Sequence, residues 1–152
     1  MSLVGQSAPD FTLLNTSREA VTLSALRGQK VVIAFFPAAF TGVCKKELCT
    51  FQDSLAALND ANATVLAISV DAPFSNGAFA KDNGVTFDVL SDYARAAVNA
   101  YDVAHADFAG MAGYVAAKRS VFVVDAEGTV TYAWVAPNPG VEPDYEAVKA
   151  AL

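Results

Sequence analysis

An α/β chain with a mixed central β-sheet flanked by helices is what this sequence predicts, on three observations. Short apolar runs rich in β-branched and aromatic residues alternate with helix-forming segments. One such run, residues 31–36, ends at Pro37 and leads into a helical stretch. Two further runs near the carboxyl end flank a short polar turn containing Gly128, the signature of a hairpin.

The elements follow in order. Residues 11–14 and 20–23 read as short strands around a polar turn at 15–19. Residues 31–36, Val-Val-Ile-Ala-Phe-Phe, read as a buried strand, because an unbroken apolar run has both faces covered. Thr41 is a favoured N-cap type, and a helix is expected from there to residue 58. Residues 64–70 form a second buried strand, followed by a helix over 74–83 that Gly84 stops. Residues 87–90 make a weaker strand, and Asp92 is placed to cap a helix ending at Tyr101. Strands at 121–124 and 130–134 flank the turn at 125–129, and residues 144–152 close the chain as a helix. This ordering is that of a thioredoxin-like fold, an analogy that does not by itself settle chemistry. With 152 residues the chain is expected to be a single domain over 1–152, burying roughly 70% of its unfolded surface.

Composition narrows the function. A formal net charge of −6 argues against nucleic acid, which requires a basic stripe to displace counterions. No apolar run approaches the ~20 residues that span a bilayer, and no leader with a charged start and apolar core is visible. The expectation is a soluble, cytoplasmic protein without membrane or nucleic-acid partners. Two cysteines, Cys44 and Cys49, and one histidine, His105, fall short of the four ligands of a structural zinc site. No metal or other cofactor is expected. In a reducing compartment a close cysteine pair is more often catalytic or redox-active than a structural staple.

Cys44 carries the sharpest signal. With Thr41 at the N-cap it falls in the first helical turn, where unpaired N–H groups and the positive end of the helix dipole stabilise an anion. The thiolate is the reactive form of cysteine. Leu48, Phe51, Leu55 and Leu58 make an apolar stripe that includes the direction of Cys44, while Cys49 points roughly 140° away. One sulfur should face a pocket against the sheet and the other a flank. In an intact helix their Cα atoms should lie about 8–9 Å apart, beyond the reach of a disulfide. A Cys44–Cys49 bond would require the first turns to unwind.

The residues Pro37, Thr41 and Cys44 stand in the pattern Pro-x-x-x-Thr-x-x-Cys, with Glu47 three positions on and Arg119 just before the strand Ser-Val-Phe-Val-Val. This resembles the active-site signature of the peroxiredoxins, and the likeness runs from about Val4 to the carboxyl terminus. Phe35-Phe36-Pro37 and Ala39-Phe40-Thr41-Gly42 resemble the alkyl hydroperoxide reductase E branch, which generally has one cysteine. A second cysteine five positions on resembles the Q-type, or bacterioferritin-comigratory, branch; Gly42-Val43 stands where that branch usually has Pro-Gly.

The resemblance implies a role for each residue. Cys44 would be the peroxidatic nucleophile, giving a sulfenic acid. Arg119 would favour the thiolate and the departing oxygen. The Thr41 hydroxyl would accept from or donate to peroxide or thiolate. Pro37 would screen the sulfur from water, and Glu47 would orient Arg119. Cys49 would attack the sulfenic acid and form an intramolecular disulfide, recycled by thioredoxin or a similar thiol reductant. Hydrogen peroxide and organic hydroperoxides are the implied substrates, and a monomer or a homodimer the implied assembly.

Blander readings stand beside these. Cys49 also reads as an inert, partly buried thiol, which would make a one-cysteine peroxidase recycled by an external thiol or a glutaredoxin-like protein. Glu47 also reads as a favourable acid in a helix's first turns. His105 lies outside any constellation and reads as a loop or surface residue. Trp134 and the phenylalanine-rich strands are assigned to the core; Tyr101, Phe108 and Met111 are candidates for an apolar surface or pocket rim. A general thiol–disulfide oxidoreductase is disfavoured by the absence of a CxxC pair, and an acidic scaffold or chaperone-like protein is the non-enzymatic alternative.

Overall fold

Buried apolar strands at the centre of the chain organise the architecture of the computed structural model, which describes residues 2–152. In chain order the elements are β1 (Thr12–Leu14), β2 (Ala20–Thr22), β3 (Lys30–Phe35), α1 (Gly42–Asp53), α2 (Leu55–Asp60), β4 (Ala63–Ser69), α3 (Pro73–Asp82) and β5 (Asp88–Ser91). Then come α4 (Ala96–Ala100), β6 (Ala104–His105), β7 (Ala116–Ala117), β8 (Ser120–Val124), β9 (Val130–Val135) and α5 (Tyr145–Ala150). Among the described residues one mixed sheet runs β2-β1-β5-β4-β3-β8-β9, and β6 pairs with β7 in a separate small hairpin. The pairs β3/β4 and β4/β5 are parallel; β3/β8 and β8/β9 are antiparallel. The expected α/β thioredoxin-like class, a mixed sheet flanked by helices, is the class observed.

Strand parity explains the layers. On β3, Val31, Ile33 and Phe35 face a core shared with Ala97 and Val98 of α4 and with Tyr101 just past its end. Val32 and Ala34 face the opposite side, against Phe51 of α1, Leu58 of α2 and Val148 of α5. A third cluster joins Phe36, Cys44, Leu48, Phe79 and Val89 beneath α1 and α3. Gly128 ends the turn between β8 and β9 with φ +91°, a left-handed conformation that favours glycine.

Four expectations need correction. The helix expected over 41–58 is two helices broken at Ser54, which adopts φ −92°, ψ 0° and shares its N–H between the Thr50 and Phe51 carbonyls. The break lets α2 turn Leu58 into the core. Asp92 does not start its helix directly; α4 begins at Ala96, after Arg95 in the left-handed region. The Asp92 carboxylate nevertheless accepts from Ala97 N at 3.1 Å and Val98 N at 2.8 Å. Tyr101 is core rather than rim: its ring packs 5.4 Å from Phe35 and 5.1 Å from Phe122, and its hydroxyl donates to the Pro9 carbonyl. His105 belongs to β6, half-buried, with Phe108 edge-on at 5.3 Å. Phe108 is half-buried and Met111 exposed.

Because Asp92 is buried and satisfies two helix N–H groups, Asp92→Ala should lower stability by about 1–3 kcal/mol. Urea titration should show a lower midpoint with an unchanged m-value.

Candidate active site

Sheet register brings distant residues to one edge. β3 and β4 run parallel with Phe35 beside Ile68, and β3 pairs with β8 with Phe35 beside Ser120. The residues just beyond these ends, Phe36 onward, Ser69 onward and Arg119, therefore meet at the same margin of the sheet. That is the carboxyl edge of the parallel strands, where α/β proteins build their sites. One residue past the β8/β9 pairing, Ala136 N donates to the Arg119 carbonyl at 2.8 Å, and the chain then folds back through Pro139.

Arg119 is only 2% exposed, and its guanidinium donors are largely committed inside the protein. Nη2 donates to Cys44 Sγ at 3.1 Å, and Nη1 to Glu47 Oε1 at 2.7 Å. Nε and Nη2 both donate to the Pro139 carbonyl, at 3.2 and 3.1 Å. Four of the five N–H groups are thereby used, leaving one on Nη1 uncommitted.

Cys44 lies in the first turn of α1 and is fully buried, walled by Phe36, Leu48 and Phe79. The first intrahelical bond runs from Lys45 N to the Thr41 carbonyl at 3.0 Å, so the N–H groups before it point out of the helix mouth. Thr41 is the N-cap by position, but its hydroxyl donates to the Ala38 carbonyl at 2.9 Å instead of capping the helix. Pro37 is buried at the start of the loop leaving β3. Phe40 takes φ 65° and rests its exposed ring 5.3 Å from Phe79, at a backbone cost of about 1–3 kcal/mol. Cys49 is half-buried further along α1, and both thiols are free.

Glu47 is completely buried, facing Arg119, and its Oε2 has no hydrogen-bond partner among the described residues. Burial raises its carboxyl value to about 7, the attraction of Arg119 only partly opposing the loss of hydration. Burial alone would lower Arg119, but the negative charge and hydrogen bonds of Glu47 and Cys44 more than offset this, and the net displacement is upward. Glu142 and Tyr145 close the other side of Glu47. The Tyr145 hydroxyl donates to Glu142 at 2.7 Å, its ring meets Phe51, and Glu142 pairs with Lys46 at 3.1 Å.

The site thus unites Cys44, Arg119 and Glu47, with Thr41 and Pro37 in the adjoining loop and Cys49 set apart on the flank. Two residues beside the site, Pro139 and Asp71, were not singled out from the sequence. Pro139 acts through its carbonyl, which side-chain identity does not reveal. Asp71, just past β4, accepts from Ala39 N at 2.8 Å; only the parallel pairing of β3 and β4 would have pointed to it. His105 lines a cleft of about 520 Å³ with Lys118, Arg119, Val135 and Pro139, whose wall does not include Cys44. Among the described residues no three His, Cys, Asp or Glu side chains gather as a metal set, and no helix is long and apolar enough to cross a membrane.

A thioredoxin-like sheet with a cysteine at a helix mouth and a buried guanidinium on its sulfur is the arrangement of a thiol peroxidase. Residues 4–133 match the model of the AhpC/TSA family. Alkyl hydroperoxide reductase E of Mycobacterium tuberculosis is 41% identical over 133 residues, covering 86% of this chain and 83% of the relative. A thiol peroxidase of Corynebacterium glutamicum is 34% identical over 149 residues, covering 98% and 88%. The solved bacterioferritin comigratory protein of Xanthomonas campestris superposes with a TM-score of 0.82 at 29% identity, covering 93% of this chain and 88% of that one. The chain belongs to the AhpC/TSA family of peroxiredoxins and is a peroxidase.

Glu47 generates a pH-dependent prediction. Its raised value means the fold favours the protonated acid, so its stabilising contribution is full below about 4.5 and is lost as pH rises through about 7. Stability of the native chain relative to Glu47→Gln should therefore fall across that interval, by about 3 kcal/mol. Urea midpoints of both proteins at stepped pH values check this; parallel curves would contradict it.

Proposed function

We propose that Cys44 is the peroxidatic nucleophile. The observation that carries this reading is the Arg119 guanidinium 3.1 Å from a sulfur in the first turn of α1. A thiolate there meets a fixed positive charge and unpaired N–H groups with water excluded, so the field needs no reorganisation during reaction. The thiolate attacks the terminal oxygen of a hydroperoxide. The S–O bond forms as the O–O bond breaks, the leaving oxygen takes up a proton, and water or an alcohol departs from a Cys44 sulfenic acid. The free N–H on Arg119 Nη1 is a donor for the oxygen on which charge develops, and Thr41 and Pro37 complete the loop around it.

Glu47 is a positioning residue that acts through Arg119. Cys49 is the resolving thiol: it displaces water from the sulfenic acid to give a Cys44–Cys49 disulfide once the first turns of α1 have opened. Two thiols of thioredoxin or a similar reductant then restore both cysteines by exchange. Hydrogen peroxide and organic hydroperoxides are the substrate class, which accords with the names of the relatives, and a reducing cytoplasm is the compartment that would sustain the cycle.

Cys44→Ser should abolish peroxide consumption, and retained turnover would overturn the assignment. Intact mass after one equivalent of peroxide separates the recycling routes. The native chain should lose two hydrogens, and Cys49→Ser should instead gain one oxygen at a similar initial rate. A stable sulfenic acid in the native chain would make Cys49 inert and the enzyme a one-cysteine peroxidase.

A further inference from the structure

The sulfur of Cys44 has no exposed surface, so a peroxide reaches it only through a breathing motion of the surrounding chain. The loop at residues 37–41 packs against the Cys44 cluster through Ala39, and its attachments are few. Beyond the Phe36 N bond to the Ile68 carbonyl at 2.9 Å, among the described residues the loop's backbone is tied across to the β4 side by one further hydrogen bond: Ala39 N donates to Oδ2 of Asp71, just past the strand, at 2.8 Å. The Thr41 hydroxyl bond to Ala38 lies within the loop itself, and the Phe40–Phe79 contact is an exposed ring on a buried one.

Asp71 is held far more firmly than the loop it grips. The Ser69 hydroxyl lies 2.8 Å from Asp71 Oδ2 and 3.0 Å from Asn76 Oδ1, and Asp71 N donates back to Ser69 Oγ. Asn76 donates to the Leu90 carbonyl, and the Ser91 hydroxyl to the carbonyl of Asp71 itself. Ser69, Asn76 and Ser91 are all buried. Buried polar groups of this kind persist because each answers another. The network spans the ends of β4 and β5 and the first turns of α3, and its outward product is a single carboxylate oxygen presented to the Ala39 N–H.

The geometry points to Asp71 as a positioning residue for the reaction, a latch that holds the loop before α1 closed over the Cys44 sulfur. This rests on Cys44 being the nucleophile. A hydrogen bond to a carboxylate is stronger than one between neutral groups, so its loss shifts the loop towards open arrangements. Open arrangements admit any electrophile, but they lose the alignment of the Cys44 sulfur, Arg119 and the helix-mouth N–H groups that favours peroxide. Loosening the latch therefore moves two rates in opposite directions, which general destabilisation of a positioning network alone does not require.

The test uses Cys49→Ser as parent, so that one thiol reports. Adding Asp71→Ala should speed amide exchange at Ala39 and alkylation of Cys44 by iodoacetamide about tenfold, and slow its oxidation by hydrogen peroxide about tenfold. Exchange in β8 should stay at the parent's rate. Asp71→Asn, which keeps an acceptor oxygen, should restore all three rates to within about threefold of the parent. Unchanged Ala39 exchange in Asp71→Ala, faster exchange in β8 as well, or no rescue by asparagine would each overturn the latch. If the parent itself fails to react with peroxide, the nucleophile assignment falls, while Ala39 exchange still decides the latch.

Discussion

A guanidinium removed from water has to find its acceptors inside the protein, and Arg119 finds three chemically different ones: a sulfur, a carboxylate and a main-chain carbonyl. Two come from α1, which supplies Cys44 and Glu47, and the third, Pro139, from the segment after β9. Removing either charged partner would leave buried charge unbalanced, which is why such groups are costly to separate. The β3/β8 register places Arg119 level with the end of β3, and the β8/β9 pairing returns Pro139 to it. The sheet is in this sense the frame of one cation.

That cation is shared. The Glu47 carboxyl and the Cys44 sulfur both take hydrogen bonds from the same buried guanidinium. Burial has already pushed Glu47 towards its protonated form, so the charge of Arg119 is only partly answered by this carboxyl. The unpaired Oε2 of Glu47 marks the same compromise from the side of hydrogen bonding. Glu142 adds negative charge nearby, and its ion pair to the exposed Lys46 is of the kind that contributes little. The aromatic contact of Tyr145 with Phe51 does more to hold that flank.

Much of this was legible before any coordinates. The apolar runs at 31–36 and 64–70 announce buried strands because such runs have few alternatives, and the β8/β9 hairpin announces itself through its turn. The positions of Cys44 and Arg119 were readable as a pattern. What escaped detection depended on tertiary context. Glu47 was legible both as a partner of Arg119 and as an ordinary acid in a helix's first turns; what tertiary context adds is its complete burial against that guanidinium. Tyr101 ends a short helix, and its place beside Phe35 and Phe122 is set by packing between β3, β8 and α4. The break at Ser54 reflects a turn of the chain that helix propensity does not forbid but tertiary burial of Leu58 rewards. The hairpin β6/β7 has two residues per strand, too few for any periodicity to register.

The unequal anchoring of α1 decides how the proposed disulfide would form. Its carboxyl half is fixed by Phe51 against the sheet and Tyr145, and Leu48 is buried one turn earlier. Its amino half is held by Cys44 itself, by the loop and by few intrahelical bonds, beginning only at Lys45 N. Lys45 and Lys46 are exposed and contribute no core contact. Unwinding from the amino end thus sacrifices mainly the burial of Cys44, the Glu47–Arg119 pair and, if it runs that far, Leu48. The carboxyl half keeps its core. Cys49 lies close to that divide, half-buried on the flank, so a released Cys44 sulfur can approach it while Phe51 stays docked. On the proposed cycle, the packing that sets the Cys44 sulfur against Arg119 also holds it away from Cys49, so the first turns have to open before the two sulfurs meet.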